Sequence, residues 1–209
     1  GDFRVPEPEK IKGVTQMSDD SAKIKEAWTD GTDGAKFGTR EMEIVRARDS
    51  NSNPTHIDRI GSSNGSYFSP MDKNGEPYGL KERAIGDYLP ETNIADNDSY
   101  HRYEVKQDFT RENFEAAIDR TYTDLDERED MREQLKSYYD DAQALFGTDG
   151  HDGEPYKFSG EQVDGVKSGE IGRMFGTDDH PDGGGKQYIT PFSAAELERM
   201  GMIEEIDKE

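Results

Sequence analysis

Residues 110–146 carry apolar side chains three and four positions apart, the spacing that places them on one face of a helix. The series runs through Phe114, Ala117, Ile118, Thr121, Tyr122 and Leu125, and after "TDLD" through Met131, Leu135, Tyr138, Ala142 and Leu145. This pattern predicts a helical hairpin or one long kinked helix. Strand-like segments flank it on both sides.

The flanking segments alternate apolar and polar residues, as half-buried strands do. They are "REMEIVRA", "HIDRIG", "YHRYEV" and "KQYITPF", with a hairpin or tight loop system predicted over "GSSNGSYFSPMDKNGEPYG" and a short strand or helical turn over "VKSGEIGRMFG". In "FSAAELERMG", Ser193 and Glu196 form a capping box, Phe192 and Leu197 are placed for a hydrophobic staple, and Gly201 is placed for the C-terminal cap. This segment predicts the last helix.

Composition limits the partners that the chain can have. Its formal net charge is −21, with 35% charged and 30% apolar residues. Nucleic acids and anionic membranes attract clustered Lys and Arg, so we expect neither as a partner. Cysteine is absent and no long apolar run occurs, so the sequence predicts a soluble chain without disulfides or a cysteine-based metal site.

Three consecutive glycines, Gly183 to Gly185, precede the strand-like "KQYI". Glycine loses more backbone freedom on folding than any other residue, so the triplet suggests that something approaches the main chain closely. The segment fails as a phosphate-binding loop, because Gln187 follows Lys186 where Ser or Thr is required. The segment "DDHPDGGG" spaces residues as a calcium loop does, but Ile189 stands where that loop needs Glu. An irregular cation site at Asp178, His180 and Asp182 stays open, and no metal is expected.

Several scattered pieces occur in a recognisable order. They are "DRIGSSNGSYFSP", "ERAI", "YHRYEV", "SGEIGRMFG" and "GGGKQY". Together they resemble the TNT-type (tuberculosis necrotizing toxin-like) domain, the NAD glycohydrolase domain of many secreted bacterial toxins. The resemblance covers about residues 40–205, with 107–160 as an insertion. Two pieces depart from the family pattern, since "RAIGDYLP" replaces a compact Arg-Ala-Leu-Pro and "GRMF" replaces a Pro-Trp-Phe-like turn.

The acidic first turn and apolar spacing of "SDDSAKIKEAW" predict a short helix within an N-terminal lead-in over residues 1–40. The resemblance implies an NAD glycohydrolase domain over 41–209 with an α+β fold, a compact mixed β-sheet core with a helical insertion, distantly like ADP-ribosyltransferases. It implies a secreted effector that depletes NAD⁺ or NADP⁺ in the cytosol of a target cell, with NAD as substrate rather than cofactor and an immunity protein as partner. The implied site residues are Gln187 and His101 as catalytic groups, and Arg59, Tyr67, Arg83, Gly184 and Gly185 as substrate-binding groups.

These residue types suit that chemistry. Arginines can hold a pyrophosphate by bidentate contacts, and Tyr67 can stack on nicotinamide. Glycines allow the main chain to approach the substrate. Nicotinamide leaves as a neutral molecule, so the site needs no general acid and works mainly by positioning and fixed dipoles. Gln187 suits a ribose hydroxyl or the attacking water, and His101 suits substrate orientation or proton removal.

Two alternatives stay open at this point. The same NAD site could transfer ADP-ribose to a protein, with Glu170 as the catalytic carboxylate. The chain could instead be a non-catalytic acidic module whose residues 110–146 bind a partner, although a dense acidic face is most often only a solvated surface.

Overall fold

The computed structural model describes residues 35, 39–79, 82–83, 100–143, 158, 160, 162–171 and 183–206. The short helix predicted within residues 1–40 lies outside the described residues. So do Asp178, His180 and Asp182 of the irregular cation site.

Within these ranges the chain forms seven strands and three helices. The strands are β1 (Glu41–Glu43), β2 (His56–Ile60), β3 (Tyr67–Pro70), β4 (Tyr100–Val105), β5 (Val166–Glu170), β6 (Lys186–Ile189) and β7 (Ile203–Glu205). The helices are α1 (Arg111–Thr121), α2 (Leu125–Gln143) and α3 (Ala194–Arg199).

The strands of the described residues form one sheet in the order β1-β5-β6-β3-β2-β4-β7. Every neighbouring pair is antiparallel. The α+β fold with a sheet core and helices is therefore confirmed, and the sheet is antiparallel throughout the described strands. Most predicted strands are present, although β1 is shorter than "REMEIVRA" and the edge strand β7 was not expected.

The helical pattern of residues 110–146 gives two helices that break between Thr121 and Leu125, so the hairpin is confirmed. Thr110 caps the first helix, because its side chain accepts a hydrogen bond from the Asn113 N–H. The inward side chains form the centre of the core with Phe109 and Phe192: they are Phe114, Ala117, Ile118, Leu135, Tyr139 and Ala142, each at most 3% exposed. This unit is thus part of the main core and not a surface addition.

Helix α3 begins at the capping box predicted from sequence. The Glu196 N–H donates to Ser193 Oγ at 3.2 Å, and the Ser193 N–H donates to Glu196 Oε1 at 2.9 Å. Phe192 and Leu197, the predicted staple residues, are both fully buried. Gly201 follows the helix with a φ of 73°. The cap and the glycine turn direct the chain into β7, which pairs with β4.

Gly165 fixes the entry into β5 and provides a stability test. Its φ is 81°, and a Cβ there would lie 2.1 Å from the Glu43 carbonyl oxygen. Gly75 has a similar φ of 78° with open space around the Cβ position. We expect Gly75→Ala to cost about 1–2 kcal/mol of unfolding free energy, the cost of left-handed backbone. Gly165→Ala should cost more than that, because the Cβ collides with backbone as well. Urea midpoints measure both, and equal midpoints would contradict this account of β5.

Candidate active site

Four of the predicted site residues lie on four neighbouring strands at the centre of the sheet. Gln187 is on β6, Tyr67 on β3, Arg59 on β2 and His101 on β4, and these strands are adjacent in that order. Pieces that are far apart in the sequence are therefore brought into one part of the fold.

Arg59 holds the turn between β2 and β3. Its Nε donates to the Ser62 carbonyl and its Nη1 to the Tyr67 carbonyl, both at 2.8 Å. The guanidinium lies 6.0 Å from the centre of the Phe68 ring, and burial lowers the pKa of Arg59. A Cβ on Gly65 would lie 2.1 Å from the same guanidinium. The glycine-rich turn is thus shaped around this arginine.

His101 pairs directly with Arg59 across the β2–β4 ladder. Opposed residues in an antiparallel pair share a face, so the two side chains lie on the same side of the sheet. Nδ1 of His101 is 2.6 Å from Oε1 of Glu205 on β7, and its ring stacks 6.4 Å from the ring of Tyr103. Burial, followed by the charge of Glu205, raises the pKa of nearby Glu198. This face thus carries a polar cluster next to the last strand.

Gln187 lies on the opposite face. Successive residues of a strand alternate between faces, so Asp58 points away from the face of Arg59. Asp58 pairs with Ser69. Phe68 pairs with Tyr188 in the antiparallel β3–β6 ladder. The next residue of β3, Ser69, therefore lies opposite Gln187, and the two side chains share a face. Gln187 therefore shares a face with Asp58 and is 6% exposed.

Arg83, on the same side as Asp58, is held in a buried hydrogen-bond network. Its Nη1 and Nη2 donate to the two carboxylate oxygens of Asp58 at 2.8 and 2.7 Å, and its Nε donates to the Tyr78 carbonyl at 2.8 Å. Tyr100 donates to Asp58 at 2.9 Å. Burial acts to lower the pKa of Arg83, but the Asp58 carboxylate raises the pKa above its usual value. A phosphate would have to compete with Asp58 for this guanidinium.

The triple glycine shapes the start of β6. Gly183 and Gly184 have φ values of 107° and 102°, a region that favours glycine. The Gly185 N–H donates to the Glu82 carbonyl at 3.0 Å. A Cβ on Gly185 would lie 3.0 Å from that oxygen and 3.2 Å from Cγ of Tyr78. The third glycine therefore favours the close approach of Tyr78 and Glu82.

An open cleft of about 370 Å³ lies beside this turn, and we call it the glycine cleft. Its lining residues are Thr39, Arg40, Glu41, Tyr78, Gly169, Glu170, Gly184, Gly185 and Lys186. Gln187 follows Lys186 and pairs with Gly169, so it adjoins the glycine cleft. Lys186 also forms an ion pair with Glu43 at 2.8 Å. Tyr67 is 38% exposed and is not among the lining residues. The volume is within the range of small-ligand sites.

Sequence reasoning missed Tyr78 and Asp58. Tyr78 stands in a stretch dense in turn residues, and nothing local marks it as part of a site. Asp58 adjoins Arg59, and only the strand register shows that the two side chains face opposite ways. Among the described residues, no group of three or more His, Asp or Glu side chains could hold a metal ion. No helix in the described part of the chain is both long and apolar enough to cross a bilayer.

Comparison with known proteins gives distant structural similarity alone. No family model matches the chain, and no curated protein matches it. Among solved structures, the tuberculosis necrotizing toxin complexed with its immunity factor matches at 18% identity and a TM-score of 0.39. The match covers 83% of this chain and 58% of the toxin chain, so this chain spans less than two thirds of its length.

Proposed function

We propose that this chain is an NAD glycohydrolase that cleaves NAD⁺ or NADP⁺ to nicotinamide and the corresponding ADP-ribose. One observation carries the proposal. Gln187 adjoins a glycine-lined cleft of ligand size, and the residues of the other motifs, Tyr67, Arg59 and His101, lie on the three strands that follow β6 across the sheet.

The glycine cleft offers the groups that such a reaction uses. Among the described residues other than its chain neighbours, no atom lies within 4 Å of the Cβ position of Gly184, so a ligand can approach its main chain. Gln187 adjoins the cleft through Lys186 and Gly169, and its uncharged amide suits a ribose hydroxyl or the attacking water. The leaving nicotinamide is neutral, so the reaction needs positioning and fixed dipoles more than a strong acid.

Arg59 and His101 lie on the other face of the β2–β4 pair, so in this proposal they act at a distance from Gln187. Arg59 holds the glycine-rich turn. His101 contacts the last strand through Glu205. Their direct contact with substrate stays a prediction.

The proposal includes a biological setting. A protein that hydrolyses NAD harms any cytosol that contains it, so we propose a secreted effector that acts in a target cell. The producing cell would then need an immunity protein as a partner.

Incubation of the purified chain with NAD⁺ tests the proposal directly. We expect nicotinamide and ADP-ribose in equal amounts without any protein acceptor, separated and quantified by chromatography. The same assay with NADP⁺ reports the preference between the two substrates. Intact NAD⁺ and NADP⁺ after prolonged incubation with folded protein would rule out the activity.

A second candidate is transfer of ADP-ribose to a protein. Glu170 favours it, because this carboxylate lines the same cleft as Gly184 and Gly185. Labelled NAD⁺ that leaves its label on added protein, and loses this transfer in Glu170→Gln, would support the transferase. Free ADP-ribose as the sole labelled product, released with an equal amount of nicotinamide, supports hydrolysis.

A further inference from the structure

We infer that Tyr78 is the aromatic contact of the glycine cleft for the planar nicotinamide ring, and that the network of Arg83, Asp58 and Tyr100 holds Tyr78 in place. In this assignment Arg83 acts through Tyr78 and does not bind a phosphate. The inference rests on the proposed function, because the ring is that of the dinucleotide substrate.

The position of Tyr78 is set by the glycine turn. Its ring lies against Gly185, where an added Cβ would be 3.2 and 3.3 Å from two ring carbons. Tyr78 is half-buried and lines the cleft together with Gly184, whose Cβ position is open. Planar ligands prefer aromatic surfaces, where rings stack with an offset or edge to face. Among the described residues that line the cleft, Tyr78 is the one aromatic side chain.

One guanidinium ties the backbone of Tyr78 to the central sheet. Nε of Arg83 donates to the Tyr78 carbonyl, while Nη1 and Nη2 donate to the two carboxylate oxygens of Asp58 on β2. Tyr100 on β4 donates to the same carboxylate. Only the planar fork of arginine can make these contacts together, and a lysine ammonium cannot.

The segment is also fixed from the other side. The Arg83 N–H donates to the Gly79 carbonyl at 3.2 Å, and the Gly185 N–H donates to the Glu82 carbonyl at 3.0 Å. Tyr78, Gly79 and Glu82 therefore connect the Arg83 network to the glycine turn. Loss of the Arg83 fork should move the Tyr78 ring relative to Gly185.

The experiment measures binding of nicotinamide riboside, which has the ring but no phosphate, and of nicotinamide mononucleotide, which has one phosphate. Ligand-observed NMR gives the dissociation constants for wild type, Tyr78→Phe, Tyr78→Leu and Arg83→Lys. Arg46→Lys serves as the control, because Arg46 is an exposed arginine paired with Asp108.

Tyr78→Phe should bind both probes within about twofold of wild type, since the ring remains. Tyr78→Leu should weaken both by up to about tenfold, the size of a lost aromatic contact. Arg83→Lys should weaken the binding of both probes by a similar factor. The double variant Arg83→Lys with Tyr78→Leu should bind them little more weakly than Tyr78→Leu alone, because the effects of coupled residues are not additive. Arg46→Lys should behave as wild type.

The inference would be overturned if Tyr78→Leu bound both probes as tightly as wild type, or if the wild-type protein bound neither probe. It would also be overturned if Arg83→Lys weakened the binding of the mononucleotide alone, which would make Arg83 a phosphate ligand. If Arg83→Lys fails to fold, Tyr100→Phe removes one bond to Asp58 and should weaken both probes in parallel to a smaller extent; unchanged binding there counts against the network. Binding without NAD⁺ cleavage would contradict the proposed function but leave this inference standing.

Discussion

Gln187→Ala is expected to lower the rate of NAD⁺ cleavage on the order of 100-fold, the usual loss when one aligned transition-state contact is removed. Gln187 lies on β6 next to two residues that line the glycine cleft, and it shares a face with Asp58. Its amide can orient water or a ribose hydroxyl without changing the charge of the site. The measurement is kcat and KM for NAD⁺ in the purified variant.

Two controls separate a catalytic loss from a folding loss. Gln143→Ala removes an exposed glutamine at the end of α2 and should leave kcat/KM unchanged. Thermal unfolding of Gln187→Ala shows whether its fold is intact. If a folded Gln187→Ala retains a near-wild-type rate, Gln187 has no part in the chemistry.

Phe114→Ala is expected to reduce the unfolding free energy by about 3–5 kcal/mol, the range for a buried phenylalanine. Phe114 is fully buried, and its ring lies 5.6 Å from the ring of Phe109 and 5.8 Å from that of Phe192. The total unfolding free energy of a domain of ordinary size is about 5–15 kcal/mol, so this single change removes much of the stability.

Leu125→Ala is the matched control, because Leu125 begins α2 but is 74% exposed. Its effect should be small, within about 0.5 kcal/mol, as for surface substitutions away from packed features. Urea denaturation of both variants measures the difference. Similar losses in the two would mean that α1 is not packed as described.

The helical unit illustrates what local pattern can predict. Apolar residues at intervals of three and four identify Phe114, Ile118 and Leu135 as inward residues, and all three are buried. The break at "TDLD" and the capping box at Ser193 depend only on neighbours in sequence, so they could be located without a fold. The same pattern cannot say that the unit lies in the main core, because that depends on distant partners such as Phe192.

The site could be predicted only in part, for the same reason. Motifs identify Arg59, His101 and Gln187, but the face that each side chain takes depends on register between strands far apart in sequence. Arg83 illustrates the limit most clearly. Its partner Asp58 lies on β2, and nothing near either residue indicates that the two form a buried ion pair.

Strand β7 could not be predicted because "MIEEI" is short and its two glutamates are adjacent, so apolar and polar residues do not alternate. It is a strand because Val105 pairs with Ile203 and Tyr103 with Glu205 at the edge of the sheet. Propensity alone does not predict such an edge strand, since pairing decides it.

The interleaved order of the sheet has a consequence for the time course of folding. β1 pairs with β5, β3 pairs with β6 and β4 pairs with β7. These strands before residue 106 therefore cannot complete their pairing until the chain after residue 165 is present. Contacts at such separation slow folding, because a long loop must close before the pairing is gained. Tyr78 and Gly185 meet only after that closure. During synthesis the glycine cleft therefore cannot form before Gly185 and Lys186 have left the ribosome.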